Sequence, residues 1–249
     1  MRKSLSWLFL IIALLHFIVP VLPTFGIGES LGQRATAQGI GPELPPGPFF
    51  SIWGVIFTLY AVVAWRHLRA PSYTGQQIFL PLLLAGLGNL VWMLTAQILG
   101  ANQIEFVLLL PILIFSWWGC YRFRAQTTGY NGTLLSLVQG ACIGLFAGWL
   151  TIAVSISLPE LVREVLGRGS SDAVWQSLWM SLLPATVLAL IFTRYISQNW
   201  GYYLAVSWGL LGIFWNTYFR LEVHALGLMT LCVAFLFYRL ARRVPLRAR

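Results

Sequence analysis

Residues 134–157 read LLSLVQGACIGLFAGWLTIAVSIS, a run that contains no charged side chain. A transmembrane helix needs about 20 apolar residues to cross a hydrocarbon layer of about 30 Å. The run meets that length with a few residues to spare. Apolar runs of 18 or more residues are typical of membrane spans, so this stretch predicts a helix that crosses a membrane.

Seven further apolar stretches flank this one along the chain. Hydrophobic residues make up 58% of the 249 residues and charged residues only 9%, whereas soluble domains carry about 25% charged residues. The pattern predicts an all-α, polytopic helix bundle of about eight spans, with no room for a separate soluble domain. The other predicted spans are residues 5–23, 48–65, 77–99, 104–121, 173–193, 200–218 and 223–240.

Charged residues separate onto the two sides of this threading. Twelve of the sixteen Lys and Arg fall on the side of the N-terminus, and all seven carboxylates fall on the other. Because short basic loops face the cytoplasm, both termini are expected to be cytoplasmic, in a bacterial inner membrane. The net charge of +9 then indicates contact with lipid headgroups rather than with nucleic acid. The first helix is expected to be retained rather than cleaved as a signal peptide.

The segment from residue 24 to residue 48 reads TFGIGESLGQRATAQGIGPELPPGP and shows no helical period. Its four prolines each remove a backbone donor, and such backbone is not expected inside the hydrocarbon layer. The segment leads directly into an aromatic helix start. Two interpretations remain open: a lid over a cavity, or a solvated connector that the prolines stiffen.

Polar and aromatic side chains lie together at depth in several spans. Asn89 shares a helix face with Trp92, three residues later, and an amide in hydrocarbon must find a partner. That face is expected to point into the bundle, either for an interhelical hydrogen bond or as the wall of a pocket. Trp53, Trp92 and Trp149 offer flat faces for stacking, and Thr151 is expected to supply an orienting hydrogen bond.

Gly140, Gly144 and Gly148 form a doubled GxxxG stripe in the fifth predicted span. Glycines four residues apart let another helix approach closely. The stripe predicts either a homodimer face or a contact between helices of one chain, and the sequence leaves both open.

Residues that carry catalytic chemistry are sparse in the spans. No Asp or Glu lies at mid-membrane depth, and no metalloprotease, hydrolase or phosphate-loop motif occurs. The three scattered cysteines give no zinc spacing. His16 lies deep in the first span and is interpreted as a packing residue rather than a haem ligand. No catalytic residue, metal ligand or resident cofactor is therefore predicted, and the chain is not expected to be an enzyme.

Three stretches resemble the TspO/MBR family of tryptophan-rich sensory proteins and translocator proteins, in its longer bacterial branch. They are PPGPFFSIWGVIF at 45–57, NLVWMLTAQ at 89–97 and GWLTIAVSIS at 148–157. The resemblance implies a five-helix membrane core over residues 1–157 that includes the outer loop, and three additional helices with a basic tail over residues 158–249. Pro48 stands where compact members carry an aromatic residue, and Ser157 where they carry Asn.

The resemblance also implies an apolar pocket, closed by the outer loop, for flat hydrophobic ligands such as tetrapyrroles or sterols. A role as sensor or regulator is expected, and transport of such molecules or assembly within a membrane complex are the alternatives. The matching positions and the residue chemistry together predict a ligand-binding set of Pro45, Pro46, Phe50, Trp53, Asn89, Trp92, Trp149 and Thr151.

Overall fold

The computed structural model describes residues 2–30, 33, 41–100, 102–127, 133–167 and 174–243. Within these residues the chain forms eight α-helices and no strand. The predicted all-α polytopic bundle is confirmed. The helices are α1 (Arg2–Ile18), α2 (Ile52–Arg69), α3 (Tyr73–Ile98), α4 (Asn102–Thr127), α5 (Leu134–Leu166), α6 (Val174–Ile191), α7 (Trp200–Trp215) and α8 (His224–Arg243).

Seven helical segments of the described chain are long and apolar enough to cross a membrane, and α7 is the exception. Its regular part has 16 residues, and it continues as a π-helical turn, Asn216–Arg220. The predicted span at 200–218 is therefore built from two kinds of helix. At 1.5 Å per residue the two together are on the order of 30 Å long, close to the thickness of the hydrocarbon layer.

Helix α5 extends beyond its predicted end at residue 157, to Leu166. Pro159 and the charged residues after it indicated a helix end, because proline removes an intrahelical hydrogen bond. The helix nevertheless passes through Pro159 and ends at Gly167, whose φ of +62° lets its N–H bond to the carbonyl of Arg163. A left-handed glycine of this kind is a common helix terminator.

Helix α5 is the centre of the bundle. In its apolar part 89% of the residues are buried, against 33–56% in the other spans. It packs against α2, α3, α4, α6 and α7, so it contacts helices on both sides of the predicted boundary at residue 157. The division of the chain into a five-helix core and a three-helix extension stays a prediction.

The glycine stripe of α5 is covered by α7 of the same chain. Gly140, Gly144 and Gly148 are buried. A methyl group at Gly148 would collide with the backbone carbonyl of Tyr202, and one at Gly144 with the side-chain amide of Asn199. The intrachain alternative therefore accounts for the stripe, and a homodimer through it would find no free surface there.

The helices alternate in direction because the connections between them are short, and their charges consequently gather at two ends of the bundle. Contacts within each end support this arrangement: the guanidinium of Arg124 on α4 lies 3.4 Å from the carbonyl of Ile196, just after α6. The arginine end carries Lys3, Arg66, Arg69, Arg122, Arg124, Arg194, Arg239, Arg242 and Arg243, and the carboxylate end carries Glu29, Glu43, Glu105, Glu160, Glu164 and Glu222.

Candidate ligand-binding site

Four of the predicted ligand-binding residues meet in one aromatic cluster, formed by Phe50, Trp53, Trp92 and Trp149. The ring centroids of Trp53 and Trp92 are 6.2 Å apart with nearly parallel planes. The rings of Trp53 and Trp149 are edge to face at 6.3 Å, and those of Phe50 and Trp149 at 5.6 Å. The segment that begins α2, together with α3 and α5, thus brings aromatic side chains from three distant parts of the chain to one place.

Polar atoms around this cluster have no hydrogen-bond partner among the residues that the structure describes. Asn89 lies one turn before Trp92 and is completely buried, yet both atoms of its amide are unpaired. The indole Nε1 atoms of Trp92 and Trp149 are also buried and unpaired. Most buried polar groups in folded proteins are paired, and each unpaired one costs about 1–3 kcal/mol. The cluster therefore contains three side chains whose polar atoms are unpaired and could bond to a ligand.

The cluster is accessible at one edge. Trp92 and Trp149 are buried, whereas Phe50 and Trp53 are only half-buried. Gly54, next to Trp53, is exposed, and a methyl group placed on it would meet nothing within 4 Å. One edge of the cluster therefore lies at the surface of the bundle, near the carboxylate end.

Pro45 and Pro46 position the helix start and do not contribute to the cluster. Buried Pro45 packs against α7, where its ring would collide with any side chain at Gly212. The carbonyl of Pro46 accepts a hydrogen bond from the N–H of Phe49 at 2.9 Å, which begins the short 3-10 turn Gly47–Ser51 that precedes α2. These prolines fix the direction in which the chain enters α2.

Thr151 faces away from the aromatic cluster. Its hydroxyl donates to the carbonyl of Ala147 at 2.9 Å and accepts from the hydroxyl of Tyr202 on α7 at 3.1 Å. Residues two apart on a helix do not share a face, so Thr151 and Trp149 lie on different sides of α5, and the prediction that Thr151 orients a ligand stays a prediction. Thr151 joins α5 to α7.

The ends of the outer loop are anchored on different helices. The N–H of Glu29 donates to the carbonyl of Gln97 at the end of α3, at 2.9 Å. The side-chain amide of Asn216 donates to the carbonyls of Gly41 and Pro42, at 3.0 Å and 3.1 Å. Residues 31–32 and 34–40, the middle of the predicted lid, lie outside the described residues.

A buried ion pair holds the second of these anchors. The carboxylate of Glu43 lies 2.6 Å from the guanidinium of Arg163, and Arg163 also donates to the hydroxyl of Ser177 on α6 at 2.8 Å. Sequence reasoning placed both charges on one side of the membrane but did not pair them. The two residues are 120 positions apart, and nothing in their local sequence distinguishes them from solvated loop charges.

His16 is a packing residue, as interpreted. Its Nδ1 lies 2.8 Å from the carbonyl of Ile12. The ring packs against Phe57 at 4.7 Å and against Tyr60 at 5.2 Å. Both neighbours are aromatic, so the imidazole is surrounded by rings rather than by other ligand-type side chains.

A cavity of about 620 Å³ opens beside α7 and α8. We call it the lateral groove, and its lining includes Val55, Leu145, Leu204, Trp208, Leu231 and Tyr238. Val55 is two residues from Trp53 and so lies on another face of α2. Trp208 is one of the tryptophans inside a predicted span, which was the available sequence signal for this site.

Comparison with known proteins identifies the family. No curated protein and no solved structure matches the chain. A sequence profile described as TSPO-like protein matches residues 6–240, a stretch that runs from α1 to α8 and includes the whole aromatic cluster. Since the match covers most of the chain, this protein belongs to the TSPO-like protein family.

Proposed function

We propose that this membrane protein binds a flat apolar ligand at the aromatic cluster and acts as a sensor or regulator of that ligand. The observation that carries the proposal is the set of buried, unpaired polar groups around Trp53, on Asn89, Trp92 and Trp149. A protein interior normally satisfies such groups. A bound molecule with acceptors for the N–H groups and a donor for the Oδ1 atom of Asn89 would satisfy them here.

The chemistry of the cluster favours a planar, largely hydrophobic molecule of the tetrapyrrole or sterol class. Trp53 is half-buried and already stacks on Phe57, at 5.2 Å between ring centroids. A planar ligand would extend this stack, since aromatic faces associate in offset-stacked arrangements. The amide of Asn89 and the two indole N–H groups would then orient the ligand, as a few polar groups do in apolar sites.

Sensing is preferred to ion-coupled transport because charged groups are confined to the ends of the helices. Coupled transporters use ionisable residues within the membrane, and no Asp or Glu lies at mid-membrane depth in this sequence. The anchored outer loop supports a regulatory role, since its contacts with α3, α5 and α7 would change if ligand entry moved the start of α2. Catalysis forms no part of the proposal.

The test is a titration with protoporphyrin IX of the protein in nanodiscs, followed by tryptophan fluorescence. Wild type is compared with Trp53→Leu and with Trp179→Leu, whose indole is exposed on α6. Saturable quenching that weakens in Trp53→Leu but not in Trp179→Leu would support the proposal. Linear quenching that is the same in all three proteins would reflect partitioning into the bilayer and would reject it. Movement of bound porphyrin across proteoliposomes would replace sensing by transport.

We further propose that the arginine end faces the cytoplasm of a bacterial cell, with both termini on that side. The support is the accumulation of Lys and Arg there, because basic residues in short loops determine orientation. A green fluorescent protein fused after Arg249 should be fluorescent in cells, and alkaline phosphatase at the same position should be inactive. The opposite pair of results would reverse the orientation.

A further inference from the structure

The lateral groove has a largely apolar wall, and two of the polar side chains in it are already paired. The hydroxyl of Ser207 donates to the carbonyl of Tyr203 at 2.7 Å. The indole N–H of Trp208 donates to the carbonyl of Phe49 at 2.8 Å. Leucines on α5, α7 and α8 form much of the remaining surface. A wall of this kind suits a hydrocarbon chain.

The groove approaches the arginine end through two aromatic residues of α8. Phe235 and Tyr238 line it, and each ring lies near a guanidinium: Arg239 is 6.0 Å from the ring of Phe235, and Arg242 is 6.0 Å from the ring of Tyr238. Arg242 follows Tyr238 by one helical turn. Both arginines are exposed, so their charges are free to meet an anion beside the mouth of the groove.

No carboxylate competes for these arginines within α8 or after it. Residues 223–249 contain no Asp or Glu, and the described carboxylates lie at the opposite end of the bundle. Along helix α8 an apolar surface is thus followed by a surface whose charges are all positive. The same succession occurs in a phospholipid, in which an apolar acyl chain is followed by a phosphate.

We propose that the lateral groove is a binding site for one anionic phospholipid of the leaflet at the arginine end. One acyl chain occupies the groove between α7 and α8, and the phosphate is bound by Arg239 and Arg242. The volume of about 620 Å³ falls in the range of sites that hold a single small molecule. The site is separate from the aromatic cluster, because none of the cluster residues lines the groove.

The test measures which lipid stays bound after extraction. The protein is reconstituted in nanodiscs of equal parts phosphatidylglycerol and phosphatidylcholine, extracted into a mild detergent and weighed by native mass spectrometry. We expect retained phosphatidylglycerol to exceed phosphatidylcholine by at least about fivefold, the effect of one arginine near an anionic headgroup. Arg239→Gln/Arg242→Gln should lose this preference. Arg66→Gln/Arg69→Gln, which removes two exposed charges from the same end on α2, should keep it.

A second variant tests the groove itself. Leu204→Trp places a larger side chain in the groove, at a residue that is 38% exposed. It should reduce retention of both lipids. Leu231→Trp is the alternative if the first variant fails to fold. Equal loss of preference in the two arginine double variants would mean a general charge effect and would overturn the proposal. So would undiminished retention in both tryptophan variants, or the absence of retained lipid in wild type.

Discussion

Asn89 presents the sharpest conflict between stability and function in this molecule. Its amide is fully buried and has no partner in the described part of the chain, so the folded protein bears the cost of desolvating it. Asn89→Leu should therefore raise the melting temperature in detergent, because it recovers up to about 1–3 kcal/mol. The same change should weaken porphyrin binding, since it removes groups that orient the ligand.

Asn199 is the control for this prediction. Its side-chain amide donates to the carbonyl of Gly140 at 2.9 Å and accepts from the N–H of Gly201 at 2.8 Å, which caps α7. Asn199→Leu should lower the melting temperature by the loss of a helix cap, about 1 kcal/mol. A fall in stability in Asn89→Leu as large as in Asn199→Leu would mean that Asn89 has a structural partner.

The ion pair between Glu43 and Arg163 leads to a prediction about coupling. The side chains are 1% and 8% exposed, so removing one leaves a buried charge. Either single change, Glu43→Gln or Arg163→Met, should destabilise the protein, by about 3–5 kcal/mol if the remaining charge stays unpaired. The double variant should lose less than the sum of the two. A double-mutant cycle of melting free energies measures this, and simple additivity would show that the pair does not interact.

At the level of single residues, sequence reasoning found the aromatic cluster but not its boundaries. Trp53, Trp92 and Trp149 were identified because indoles deep in a membrane span require an explanation beyond the interface. Thr151 was grouped with these residues for its polarity, and the structure places its hydroxyl against Tyr202 of α7; its part in ligand binding stays a prediction. Glu43 was missed as a partner, because a pairing across 120 positions depends on the tertiary fold.

The contact between α5 and α7 is the element-scale feature that the glycine stripe makes possible. Gly148→Ala places a methyl group against the carbonyl of Tyr202, and backbone cannot move aside as a side chain would. We expect a loss of about 1–3 kcal/mol from overpacking, seen as a lower melting temperature with an unchanged oligomeric state. A shift from dimer to monomer instead would restore the homodimer interpretation.

Gly54→Ala is the matched control for that change. Gly54 is an exposed residue of α2 with open space where its Cβ would lie, and alanine is favoured over glycine in helices by about 1 kcal/mol. The variant should therefore melt at the same temperature as wild type or slightly higher. Equal destabilisation in Gly54→Ala and Gly148→Ala would show that the glycine stripe has no special role.

The presence of each helix was predicted well, because hydropathy determines it. The ends of the helices were predicted less well, because tertiary packing determines them. Each predicted apolar stretch contains a helix, because a membrane span must satisfy its own backbone hydrogen bonds. The end of α5 at Leu166 lies beyond the apolar stretch predicted at 134–157, because hydropathy marks the part of a helix that crosses the membrane and not its last turns. Arg163 in those turns pairs with Glu43, and a tertiary contact across 120 positions leaves no signal in the local sequence.

At the scale of the whole molecule, α5 is the helix around which the bundle is organised. Its stripe receives α7, and its Trp149 belongs to the aromatic cluster with α2 and α3. Tyr202 of α7 is completely buried and bonds to Thr151. The family profile likewise extends over both parts, from residue 6 to residue 240. The C-terminal helices therefore supply part of the environment that keeps α5 in place.

A truncation after Leu166 distinguishes this organisation from an independent five-helix core. Residues 1–166 would leave the stripe of α5 uncovered, Thr151 without Tyr202, and Arg163 without Ser177. The fragment should aggregate in detergent or melt well below the full chain, because the buried surface of α5 would face lipid or detergent at positions shaped for close helix contact. Coexpression of residues 167–249 should restore a monodisperse complex, since the missing contacts are all supplied by that segment. A fragment that is monodisperse alone, melts close to the full chain and binds porphyrin with wild-type affinity would instead establish the core as a separate unit, and α6 to α8 as an addition to it.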